Sequence, residues 1–144
     1  MVEFISAEET LLLRSQLLRQ GKLPPEECSF EGDKEEGAFH LGYFADGQII
    51  GVVSFVPQER REFEGSGYRL RGMAVLPEYR KRGIGNLLVN FGVLYLKGRR
   101  VNYVWCNARK AAYSFYMGQG FEFVSDEFEI SGIGPHRMMY LKIS

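Results

Sequence analysis

Apolar and polar positions along the chain follow two rhythms. Phe4-Ile5 closes a short strand-like run, and Ser6-Ala7-Glu8-Glu9 follows it. A serine with a glutamate three residues on is the signature of a helix start, with Ser6 as the cap. Leu11, Leu12, Leu13, Leu17 and Leu18 then lay an apolar stripe on a helix that should end near Gly21. Residues 19–37 carry Pro24-Pro25, glycines and many acids, the composition of a long loop able to order over a site. Alternation over 38–44 and 48–56 predicts two strands, joined by Ala45-Asp46-Gly47, where Asp-Gly is a strong hairpin signal. A charged segment over 57–67 leads to a third strand at 68–75.

Beyond Pro77 the rhythm changes. Apolar residues at 84, 87, 88, 91, 94 and 95 predict a helix over 85–97, ended by Gly98. An alternating strand at 101–106, a short helix at 109–117 closed by Gly118 and Gly120, and strands at 121–130 and 137–143 complete the pattern. The order is that of a mixed α/β layout, with helices crossing between parallel strands in the second half. No internal repeat and no low-complexity tract interrupts it.

Composition narrows the class. The 144 residues suit one domain over 1–144, and 45% hydrophobic, 14% aromatic and 25% charged residues exclude disorder, collagen and coiled coil. The N-terminus lacks a basic region followed by an apolar one, and no run approaches the ~18 to 20 apolar residues of a membrane span, so a cytoplasmic protein with no membrane partner is expected. Cys28 and Cys106 have neither Cys-x-x-Cys spacing nor a neighbouring His; free thiols and no metal site are expected. Lys plus Arg at 18 offsets Asp plus Glu at 18, which argues against nucleic acid as partner. That neutrality hides a segregation. Residues 69–109 hold nine basic side chains and one acidic, whereas residues 1–68 hold six basic and thirteen acidic.

The basic segment contains a loop suited to phosphate. From Val75 to Leu88 the chain runs strand to helix through Arg80-Lys81-Arg82-Gly83-Ile84-Gly85-Asn86. Glycines allow close backbone approach, and the free N–H groups and positive dipole end of the following helix favour an anion. No Gly-Lys-Ser/Thr follows, which excludes a nucleoside triphosphate P-loop. Gly83-x-Gly85-x-x-Leu88 lacks the third glycine of the dinucleotide fingerprint.

At this point the chain resembles the GNAT family of N-acetyltransferases. Arg-x-x-Gly-x-Gly at 80–85, after a strand carrying Met73-Ala74-Val75, is similar to that family's pyrophosphate loop. Trp105-Cys106-Asn107-Ala108-Arg109, then Tyr113-Ser114-Phe115-Tyr116 and Gly120-Phe121, resembles its second motif. Phe39-His40-Leu41-Gly42, Leu70-Arg71-Gly72-Met73-Ala74 and Ile133-Gly134-Pro135-His136 extend the resemblance to the glyphosate N-acetyltransferase branch, although the loop at 80–85 follows the general family pattern. The resemblance implies a GNAT-type mixed, partly parallel central sheet of about six or seven strands flanked by helices. It also implies acetyl-coenzyme A as cosubstrate, bound by Met73, Ala74, Val75, Arg80, Lys81, Arg82, Gly83, Ile84, Gly85, Asn86, Asn107 and Tyr116.

For the chemistry, an amine attacking a thioester must be neutral, so a base is needed. His136, after a glycine-rich turn, matches the histidine implied as general base, while His40 in an alternating strand suits a packed or hydrogen-bonded role. Tyr116 holds the position of the tyrosine implied to protonate the departing thiolate, with Tyr113 its competitor on the same helix. Asn107 is placed to cap the helix that follows or to bind the cosubstrate's amide chain. A backbone N–H near Met73 and Ala74, where that strand splays from its neighbour, is implied to meet the oxyanion. Arg19, Arg71 and Arg109, with His136, match the groups that hold an acidic amine in the glyphosate branch; arginine's planar fork suits carboxylate and phosphonate. The expected partner is therefore a small acidic amine, the protein being a monomer or homodimer. A protein lysine or N-terminus, received in a groove edged by the acids of 26–36, and a non-catalytic acyl-coenzyme A binder remain open alternatives.

Overall fold

The computed structural model describes residues 1–144. Eight strands share one sheet: β1 (Val2–Ile5), β2 (Phe39–Ala45), β3 (Gln48–Pro57), β4 (Gly67–Val75), β5 (Tyr103–Arg109), β6 (Glu122–Phe123), β7 (Phe128–Ile130) and β8 (Gly134–Lys142). Their spatial order is β1-β2-β3-β4-β5-β8-β6, with β7 also on β8. Three helical elements matter below: α1 (Leu11–Leu13), α2 (Ile84–Gly98) and α3 (Tyr113–Gly118).

The mixed α/β class holds, with three corrections. Residues 121–130 form two short strands, β6 and β7, which raises the count to eight. Only β4 and β5 run parallel, so α2 alone makes a parallel crossover. The short helix starts at Tyr113, because β5 continues through Arg109 and a 3₁₀ turn, Lys110–Ala112, intervenes.

Local chemistry explains the rest. Asp46 and Gly47 both take positive φ, 51° and 76°, which is the backbone of the tightest hairpin between β2 and β3. The Ser6 N–H donates to Glu9 Oε1 at 2.9 Å and the Glu9 N–H to Ser6 Oγ at 3.2 Å, a reciprocal cap. The helix it opens changes pitch along its length. A 3₁₀ turn (Glu8–Thr10) leads into α1 and then a π-turn, Arg14–Leu18.

The sheet has two unlike faces. Seventeen buried residues pack between one face and α2 and α3, among them Leu41, Val53, Phe55, Leu70, Leu88, Leu96, Cys106, Tyr116 and Met139. Gly92 lets α2 sit directly on Phe55, whose ring a Cβ there would overlap. The opposite face, under α1, carries two smaller clusters, Leu13-Val52-Ala74 and Tyr103-Trp105-Met138. Polar and charged side chains fill the space between them.

Candidate active site

Between β4 and β5 the sheet opens. Their parallel pairing covers only Gly67–Arg69 against Tyr103–Trp105, and beyond it the strands part, the splay anticipated near Met73 and Ala74. A bulge assists. Two steps along β3, from Val52 to Ser54, face three along β4, from Ala74 to Arg71, and the extra residue includes Gly72 at φ +66°. A Cβ on Gly72 would lie 2.9 Å from the Phe30 ring, so this site requires glycine on both conformational and steric grounds.

A cleft of about 760 Å³ occupies the opening. Its walls include Met73, Ala74 and Val75 of β4, Lys81 and Arg80 of the following loop, Gly83, Ile84, Gly85 and Asn86 at the start of α2, Asn107, Tyr116 and His136, and Arg19, Arg71 and Arg109. Elements distant in sequence thus converge there. Arg82 is the exception among the anticipated residues: it is absent from the cleft wall, its guanidinium carbon 5.4 Å from the Tyr79 ring centroid.

One end of the cleft is a helix start without a side-chain cap. Gly83, at φ 79°, turns the chain into α2, and no side chain bonds the first N–H groups. Those donors, with Arg80 and Lys81 beside them, have the chemistry of a diphosphate seat. Lys81 itself holds φ 62°, uncommon for a non-glycine residue. Arg80 is anchored, its Nε donating to the Val75 carbonyl at 3.0 Å.

His136 is buried on β8, opposite Arg109 of β5, and its ring lies 6.1 Å from that of Phe128. Its Nδ1 sits 2.8 Å from the Gly134 carbonyl. A carbonyl only accepts, so Nδ1 carries the proton and Nε2 keeps its lone pair in the neutral ring. Tyr116 projects from α3 on the other side of the sheet. Burial, with a lesser contribution from Cys106, raises its phenol well above the usual value. Tyr113 turns away from the cleft and donates to Glu127 at 3.3 Å. Cys106 also lines the cleft, but burial pushes its thiol up to about 12. It carries negligible thiolate near neutrality.

Asn107 corrects an expectation. Both turns after β5 start without a side-chain cap bond, so Asn107 caps neither. Its Oδ1 is buried without a partner, although the residue stands on the cleft wall.

Charge in the cleft is one-sided: its walls hold Arg19, Arg69, Arg71, Arg80, Lys81 and Arg109, and no Asp or Glu. The acids of the loop 26–36 stay outside it; only Phe30 of that segment enters. The Phe30 ring meets two guanidiniums, their carbons 3.7 Å (Arg14) and 4.3 Å (Arg71) from its centroid. The Arg109 Nη2 donates to the Leu18 carbonyl at 3.1 Å, tying the end of the first helix to β5.

Sequence reasoning missed the device that seats this loop. Arg14, fully buried, donates from Nη1 to Asp33 Oδ2 at 2.7 Å, from Nη2 to Asp33 Oδ1 at 3.0 Å, and from Nη2 to Ser54 Oγ at 2.9 Å. His40 completes the network as a hydrogen-bonded histidine. Its Nε2 donates to the Asp33 carbonyl at 2.9 Å, and Nδ1 meets the Ser54 hydroxyl at 2.6 Å. Burial raises the Asp33 carboxyl, but the Arg14 fork, the Phe30 N–H and the arginine's charge outweigh it and hold the carboxyl below its usual range. A signal for Arg14 existed. It interrupts the apolar stripe between Leu11 and Leu18, where a charge demands a partner.

Comparison with known proteins bears on the family and the fold. The model of the acetyltransferase (GNAT) domain matches residues 22–142. The uncharacterized N-acetyltransferase YitI of Bacillus subtilis (strain 168) is 41% identical over 140 residues, covering 96% of this chain and 93% of that protein. An aminoglycoside 6'-N-acetyltransferase solved with coenzyme A superposes with a TM-score of 0.72 at 17% identity, covering 100% of this chain and 97% of the other. Escherichia coli ElaA gives 0.75 at 16% identity, with 97% and 99% covered. At such identities these two structures speak for the fold.

Proposed function

The chain belongs to the GNAT acetyltransferase family, and we propose that it moves the acetyl group of acetyl-coenzyme A directly onto the amine of a small acceptor bearing carboxylate or phosphonate groups, as in the glyphosate N-acetyltransferase branch. The observation that carries the acceptor class is the cleft wall, which His136 shares with Arg19, Arg69, Arg71 and Arg109 and on which no carboxylate stands. An anionic amine is attracted there; a lysine side chain is repelled.

Gly83, Ile84, Gly85 and Asn86, with Arg80 and Lys81, would hold the diphosphate, and Met73, Ala74, Val75 and Asn107 the amide arm. The bound cosubstrate supplies an acetyl group activated as a thioester. His136 offers Nε2 to take the amine proton, its ring held by the Gly134 carbonyl. Tyr116, kept neutral by burial, holds a proton that the departing sulfur can take. The protonated Cys106 thiol favours direct transfer over an acyl-cysteine relay. Arg71, Arg109 and Arg19 orient the acceptor's acidic groups.

Free-thiol release from acetyl-coenzyme A, screened over small acidic amines and lysine peptides, tests this reading. Acidic amines should turn over fastest, and His136→Ala should lower kcat/KM by about 10²- to 10⁴-fold and flatten the acid side of the pH profile. Turnover of peptides alone, or an unaltered His136→Ala profile, would overturn it.

A further inference from the structure

The α1 face carries a row of cations that form ion pairs only at its ends. Arg14 is met by Asp33 at 2.7 Å and Arg60 by Glu62 at 2.7 Å. Between them Arg71 and Arg69, two residues apart on β4 and hence on one face, have no carboxylate within ion-pair distance.

Arg69 is the less expected of the two. Its Nε is buried without a partner, and its guanidinium carbon lies 5.0 Å from the Trp105 ring centroid. Trp105 is a fixed shelf, 1% exposed, with its indole N–H donating to the Gln58 carbonyl at 2.8 Å. An aromatic face attracts a cation yet accepts little from its N–H donors. Burial, then repulsion from Arg71, brings the Arg69 guanidinium down to about 10; burial, then Arg14, lowers that of Arg71 and outweighs the opposing pull of Asp33 and Glu31. Two half-buried like charges without an acceptor are unfavourable in the free protein, and an anion brought by a ligand relieves both. Arg69 stands on the wall of the same cleft as Arg71 and Arg109. Arg60, committed to Glu62, does not.

We propose that Arg69, seated on Trp105, is a second anion-binding point of the acceptor site, so that the preferred acceptor is an amine with two anionic groups, one held at Arg71 and a distal one at Arg69. The proposal rests on the reading of the acceptor as a small acidic amine. A guanidinium fork receives carboxylate, phosphonate and phosphate alike, so the class is defined by the number of anionic groups.

The test uses the full chain, acetyl-coenzyme A and pairs of acceptors that differ only at the distal group: amino-dicarboxylic or amino-phosphono acids against their neutral distal amides. The second anion should raise kcat/KM by about tenfold or more in the native chain. Arg69→Gln should erase that ratio while leaving the KM for acetyl-coenzyme A in place, and Arg69→Lys should restore part of it, since a point charge attracts without the fork. No preference for the second anion in the native chain would overturn the proposal. So would an Arg69→Gln enzyme that keeps the native ratio while its unfolding midpoint falls, which assigns Arg69 to packing on Trp105. If every acidic amine is inert while peptides react, the acceptor reading itself fails, a result separable from loss of the ratio alone.

Discussion

The two faces of the sheet solve one packing problem with different chemistry. Beneath α2 and α3 the face is a continuous apolar cluster, and helix and sheet approach closely at Gly92 and Phe55. Beneath α1 the apolar clusters are small, and a buried ion pair, two histidines and a row of arginines lie among them. Apolar burial is non-directional and tolerates adjustment, so the first face suits stability. Hydrogen-bonded charges act only in narrow geometry, so the second suits placement of Phe30, and of the loop that carries it, against Arg71 of β4. The face with incompletely offset charge is also the one that brings Arg71, Arg109 and His136 to the cleft wall.

Substitutions on each face test this division, the largest effect first. Asp33→Ala leaves Arg14 charged, buried and unpaired, and should lower unfolding free energy by about 3–5 kcal/mol in denaturant titrations. Because the folded-state Asp33 carboxyl lies below its ordinary value, its contribution is complete above about pH 4 and is lost as pH falls through the lowered value. The native chain should therefore lose stability in acid more steeply than Asp33→Ala; parallel acid transitions would deny the pair this role. Gly92→Ala acts on the other face by forcing α2 off Phe55, at about 1–3 kcal/mol, and should leave acceptor selectivity intact. A change in selectivity there would mean that the faces are coupled. The smallest effect belongs to Lys34→Ala. Its pair with Glu8 is 2.6 Å long, close to the 2.7 Å of Arg14 with Asp33, yet both side chains are exposed. Solvent and salt screen such a pair, so no resolvable shift in the unfolding midpoint is expected.

Features set by near neighbours along the chain are legible in the amino-acid order itself. The Ser6–Glu9 cap, the Asp46-Gly47 hairpin and the periodicity of α2 are each realised, because their hydrogen bonds or side-chain spacing close within a few residues. Leu12 shows the limit of a stripe: counted with the apolar leucines, it is 53% exposed while Leu13 is buried, since three consecutive residues of a helix cannot share one face. Residues 121–130 read as one strand and are two, because pairing with β8 is made separately at Met139-Tyr140 and at Gly134–His136. Much of the anticipated cleft is legible too, through ordered motifs. Arg69 and Phe30 are not, for neither belongs to a motif, and each matters through what stands beside it.

Local backbone preference and composition, both written in the order of residues, thus suffice for the strands, the glycine-basic start of α2 and the segregation of charge into residues 69–109. Which of those charges find partners is settled only on folding. Asp33 reaches Arg14 across nineteen residues and Arg69 meets Trp105 across a parallel pair of strands, while Arg71 is left facing the cleft. Pairing of charges depends on distance and dielectric, and both are properties of the folded chain.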